Sequence, residues 1–155
     1  MGLYMETTQI SAEKTAQEIS GLLIQAGASA IRQDLADKKI TGLSFTLMVK
    51  GEHVPFMLPI RIEPVFLCLQ KKISPKNRVK NAPKQLQQAE RVAWRQLLKW
   101  IQAQIAMIDT GMVQADEVFF PYVQTGVNQT LYEKLSSGPM SQLHRLALPA
   151  KGGTS

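Results

Sequence analysis

Six apolar residues, Trp94, Leu97, Leu98, Ile101, Ile105 and Ile108, recur at helical spacings, which places them on one side of a single helix. This stripe constrains the fold more than any other feature. A helix from residue 85 to residue 110 is about 39 Å long, and one whole side of it must be covered by something else. Gly111 follows the last apolar position and marks the stop.

The covering elements are sought upstream. Ser11 is a good N-cap with Glu13 in the following turn, and Ile19, Leu22, Leu23 and Ala26 recur at helical spacing before Gly27. This predicts an amphipathic helix over 11–26. Residues 3–10 are rich in β-formers and read as a strand. From residue 29 the period falls to two. Residues 30–35 read as a strand and Asp37-Lys38-Lys39 as a turn. From Ile40 to Val49 the chain alternates, with Leu43, Phe45, Leu47 and Val49 on one face. Lys50-Gly51-Glu52 is a second turn, and residues 54–60 return as a partner strand. Pro55 and Pro59 in that strand assign it to a sheet edge.

Glu63-Pro64 opens a short helix to Lys72, expected to be buried, with Cys68 inside its apolar run. Residues 73–84 carry two prolines, two asparagines and four cations and read as a mobile loop. After Gly111 the aromatic cluster Phe119-Phe120-Pro121-Tyr122 is assigned to the core, and residues 130–136 to a last short helix. The expected fold class is α+β: a three- to four-stranded, mostly antiparallel sheet packed against an N-terminal helix and a long C-terminal helix. Residues 1–137 form one domain, and 138–155 are expected to be a flexible tail.

The net charge of +6 directs attention to how the cations are distributed. Lys71, Lys72, Lys76, Arg78, Lys80 and Lys84 fall in a stretch without an acid, since none lies between Glu63 and Glu90. Arg91, Arg95 and Lys99 follow at intervals of four on the long helix, projecting as a stripe. These nine residues are half of the 18 lysines and arginines. Cations beside a fixed cationic helix face suit a phosphate backbone, where counterion release supplies affinity regardless of base sequence. A solvated, solubilising surface is the plainer explanation of the same charges. Trp94 lies on the apolar stripe and is assigned to the core. Trp100 lies off its centre, which makes it the better aromatic for a partner, although packing is again favoured.

Enzyme classes find little support. His53 and His144 stand apart, Cys68 is the one cysteine, and no metal-binding, P-loop or nucleophile-elbow motif occurs. Neither catalysis, cofactor nor metal is expected. No apolar run has the length of a membrane span and no secretory signal is read, so the expected compartment is the cytoplasm and no membrane partner is expected.

Several phrases resemble a family of small proteins from bacteriophages, prophages and related mobile elements. They are Glu6-Thr7-Thr8-x-Ile10, Gly27-Ala28-x-Ala30-Ile31, Gly42-x-Ser44-Phe45, Pro55-Phe56-x-Leu58-Pro59, Ala89-Glu90-Arg91-Val92-Ala93-Trp94-Arg95 and Glu117-Val118-Phe119-x-Pro121-Tyr122. The resemblance implies a mobile-element setting and carries across no catalytic residue. The expected function is that of a non-enzymatic, nucleic-acid-binding accessory protein. The alternatives are a protein-interaction module, such as an inhibitor of a host defence complex, and a sponge for a nucleotide signal.

Overall fold

The computed structural model describes residues 2–138 and 145–148, so most of the expected tail lies outside the described residues. The expected α+β class is found. Helix α1 (Ala12–Gln25) is followed by strands β1 (Ala30–Ala36), β2 (Lys39–Val49) and β3 (Glu52–Met57), which form an antiparallel sheet in the order β1-β2-β3. Helix α2 (Ile62–Gln70) and a 3-10 turn (Pro75–Asn77) lead into the long helix α3 (Arg78–Asp109). Helix α4 (Ala115–Phe119), a second 3-10 turn (Phe120–Tyr122), the small hairpin of β4 (Gln124–Gly126) and β5 (Gln129–Thr130), and helix α5 (Leu131–Ser137) follow.

Local chemistry sets most of these boundaries. The Ser11 hydroxyl accepts from the Lys14 N–H at 3.2 Å and caps α1. Both α1 and α3 end in the same way. Gly27 (φ +104°) and Gly111 (φ +78°) adopt the left-handed conformation. The amides of Ala28 and Met112 reach back to the carbonyls of Leu23 and Met107, the paired bonds of a Schellman motif. Asp37 and Lys38 both have positive φ, as do Lys50 and Gly51. Each pair forms the two-residue turn that matches the twist of its flanking strands.

The alternation read from β2 is the sheet's inner face. Leu43, Phe45 and Leu47 are buried, and Phe45 lies opposite both Ile31 of β1 and Phe56 of β3. Against this face pack Ala16, Ile19 and Leu23 of α1 and Trp94, Leu98, Ile101 and Ile105 of α3, in one core. At one end the core is aromatic. The Phe45 and Phe56 rings stack at 5.2 Å, Phe119 meets Phe45 edge-on at 5.0 Å, and Trp100 stands edge-on to both Phe119 and Tyr122. Trp94 is buried as expected, and Trp100, half-buried, packs edge-on at the aromatic end.

Four expectations are corrected. Residues 3–10 form no strand. They are a turn followed by an extended strap, with the Gln88 side-chain amide donating to the Glu6 and Thr8 carbonyls at 2.8 and 2.9 Å. Gln96 does the same for Tyr4 at 2.8 Å. Two glutamines of α3 thus take the place of a partner strand, and the sheet has three strands with a separate small hairpin. Residues 73–84 are not a loop, because α3 begins at Arg78 with Pro83 inside it. Pro83 costs one hydrogen bond, to the carbonyl of Val79, and Val79 is exposed enough for water to replace it. Helix α2 buries one side only, through Leu69 and Gln70, which leaves Cys68 exposed rather than in the core. Phe119 fills the core as expected, whereas Phe120 faces solvent.

Candidate nucleic-acid interface

The nine cations singled out in the sequence meet different fates. Arg95 is buried. Its guanidinium Nη1 donates to Glu18 Oε2 at 3.0 Å and Thr15 Oγ1 at 3.3 Å, tying α3 to α1. It is therefore withdrawn from any partner, which corrects its place in the expected stripe. A position four residues from Arg91 and from Lys99 shares a helix face with both, but α1 happens to cover that face at this level. Arg78 is also occupied. Its Nε donates to the carbonyls of Gln70 and Ile73 at 2.9 and 3.2 Å, which fastens the end of α2 to the start of α3. Lys72 forms an ion pair with Glu6 of the strap. That contact, together with the backbone N–H of Leu3, holds the Glu6 carboxyl below its ordinary pKa.

Lys71, Lys76, Lys80 and Lys84 are exposed, and Arg91 and Lys99 are half-buried. Once α3 is seen to begin at Arg78, a ridge emerges that a loop reading conceals. Lys80, Lys84, Gln87 and Arg91 are spaced four, three and four residues apart on one helix, so they line up along about 16 Å of its surface. Lys76 lies just ahead of this line, in the 3-10 turn. Arg91 is steadied by the Gln88 side-chain oxygen at 3.0 Å. Lys99 lies two turns farther on and about 80° round the helix, off this line.

Beside the ridge runs a groove of about 520 Å³ between α3 and the strap, lined by Lys84, Gln85, Gln87, Gln88 and Arg91 on one side and Glu6, Thr7 and Gln9 on the other. Its walls offer amides, the Thr7 hydroxyl, two cations and the carboxylate of Glu6, which is paired with Lys72. No protein-family model matches this chain, and no curated protein and no solved structure is significantly similar to it.

The chemistry available here is recognition. Flexible ammonium groups at one-turn intervals suit the phosphates of an extended strand, and side-chain amides beside them can exchange hydrogen bonds with base edges or sugars. The glutamines were missed in the sequence, where the spacing from Lys80 would have revealed Gln87 had the helix been started five residues before Pro83. Two further lysines were missed as well. Lys39 reaches Glu90 of α3 at 3.8 Å, which brings the β1–β2 turn, with Lys38, to the side of α3. No helix among the described residues is long and apolar enough to cross a membrane.

Proposed function

We propose that this is a non-enzymatic nucleic-acid-binding accessory protein of a phage or other mobile element, and that it binds a sugar-phosphate backbone along α3. The observation that carries this reading is the ridge of Lys76, Lys80, Lys84 and Arg91, free of acids as far as Glu90, beside a groove lined mainly by glutamine amides. Lys71 adds to the local positive field from the end of α2. The mobile-element setting rests on the sequence phrases that resemble that family. The groove, with its glutamines and half-buried Arg91, favours a single strand over a duplex, because an unpaired strand can bring base edges to the amides while its phosphates meet the lysines.

Fluorescence anisotropy with single- and double-stranded DNA and RNA oligonucleotides, between 50 and 200 mM salt, tests the proposal. Four phosphate contacts give a slope of log Kd against log salt of about 3 for a single strand. Substitution of Lys80, Lys84 and Arg91 together by Gln should lower that slope by about 2. Arg95→Met should leave the slope unchanged. Absence of binding to all four nucleic acids at 50 mM salt would falsify the reading.

A further inference from the structure

The apolar stripe of α3 does not stop where the core stops. Read backwards from Ile101 at intervals of four and three, it passes through Leu97, Trp94 and Glu90 and continues to Leu86, Pro83 and Val79. Leu97 and Trp94 are buried and Glu90 half-buried, but Leu86 is 43% and Val79 87% exposed. The reason lies in the lengths of the elements. Ser11, Ala12 and Glu13 at the start of α1 lie level with Gln87, Glu90 and Arg91, and the Gln25 side chain at its end reaches Asp109. Helix α1 therefore accompanies α3 only from about residue 87 onward. The turns from Arg78 to Leu86, about 13 Å of helix, overhang the body on the side that farther along faces the sheet.

The hairpin tip brought beside Glu90 by Lys39 adds Leu35. It lies opposite the buried Ile40, hence on the core-facing side of β1, yet is 67% exposed. The result is an apolar helix face that is unpartnered among the described residues and continues the period of the core, with a further exposed leucine at the same end of the sheet. A surface of this form is completed by another helix, because 3-4 spacing of apolar side chains is what a second helix packs into.

Charge decides which helix. The chain carries no acid from residue 64 to residue 89. Exposed lysines lie beside the stripe, Lys80 on α3 and Lys76 in the 3-10 turn that precedes it, while Lys38 and Lys39 stand at the hairpin tip. Glu90, the nearest acid on α3, is already paired with Lys39. A second copy of this chain would set these lysines against their own counterparts, which is unfavourable. Three apolar side chains on a helix already fixed to α2 are also too few to enter a lipid surface. We infer that the overhanging end of α3 docks an acidic amphipathic helix of another protein, with the partner's apolar stripe on Val79, Pro83 and Leu86 and its carboxylates on the flanking lysines. This surface lies on a different face from the Lys84–Arg91 groove, and the inference does not depend on nucleic-acid binding.

The probe is a synthetic amphipathic peptide with leucines at 3-4 spacing and glutamates on both flanks, beside a control in which every glutamate is lysine. Methyl NMR of the full chain should show shifts of Val79, Leu86 and Leu35 with the glutamate peptide, and none with the control. Val79→Glu and Leu86→Glu, both at exposed positions, should each weaken binding at least tenfold, with unchanged far-UV circular dichroism. The inference is overturned if the two peptides bind alike, if millimolar glutamate peptide shifts none of these methyls, or if the shifts map elsewhere. Self-association in sedimentation that Leu86→Glu abolishes would assign the face to a second copy, and loss of these methyl signals on anionic vesicles would assign it to a membrane. Oligonucleotide binding in the absence of peptide binding would also overturn it while leaving the ridge intact.

Discussion

Arg95 shows how one contact can reassign a residue. In the sequence it is an unremarkable member of a cationic series, but in the fold it lies under α1 with Glu18 and Thr15 on its Nη1, and its Nε has no hydrogen-bond partner among the described residues. Removing it leaves a void between two helices and frees Glu18, which is itself partly solvated. Arg95→Ala should therefore destabilise the protein by about 2 kcal/mol, while Arg95→Met, which keeps the packing, should cost less than half of that. Urea denaturation of the two variants distinguishes packing from charge. Glu6 supplies a second prediction at this scale. Its carboxyl pKa is lowered in the folded chain, first by the Lys72 hydrogen bond and then by the Leu3 amide. A depressed carboxyl pKa means that the folded state favours the ionised form. The strap's hold is thus complete above the ordinary carboxylate range and weakens as pH falls through the lowered value. The side-chain amide resonances of Gln88 and Gln96 should move towards free-glutamine positions in that acid window, and Glu6→Gln should abolish the pH dependence. Amide resonances that do not respond to pH in the wild type would refute the coupling.

Among the elements, α3 carries both the surprise and the site. Prolines at 75 and 83 argue for a loop in the sequence, and the first of them does sit in a 3-10 turn. The second lies within regular helix, held at its start by Arg78 on the end of α2. The missing bond at Pro83 is thus offset by tertiary anchoring. Pro83→Ala should restore it and stabilise the protein by about 1–3 kcal/mol, with slower amide exchange across residues 79–87. If exchange there is unchanged or faster, the start of α3 is not limited by that proline. The helix boundary also decides the functional reading, because Lys80 and Lys84 are independent charges in a loop and part of a ridge in a helix.

For the molecule as a whole, the strap closes the layer opposite the sheet. It is secured by side chains 80 to 92 residues away in sequence, through the Gln88 and Gln96 amides. It also forms one wall of the groove beside the ridge. Gln88→Ala with Gln96→Ala should detach it, costing about 2–3 kcal/mol for three lost hydrogen bonds and abolishing the exchange protection of the Thr8 amide. The same double variant should weaken oligonucleotide binding while leaving the salt slope near its original value, since the lysines remain. A fall in the salt slope would mean that the strap positions the cations as well.

What the sequence determined by itself are the features set by neighbours a few residues apart. These are the 3-4 stripe of α3, the Ser11 cap, the glycine stops at 27 and 111, the two tight turns, and the alternation that gives β2 its buried face. Each follows from backbone geometry and short-range hydrogen bonding, so each is legible without a partner. The tertiary structure alone decided which cations are spent and which are free, because Arg95, Arg78 and Lys72 are all satisfied by groups that the local pattern does not name. It alone turned residues 3–10 from an expected strand into a strap, since half-burial at alternate positions fits either, and only the glutamines of α3 choose between them. It also left the Val79 and Leu86 face of α3's first turns exposed, a consequence of α1 being shorter than α3 and starting level with Glu90.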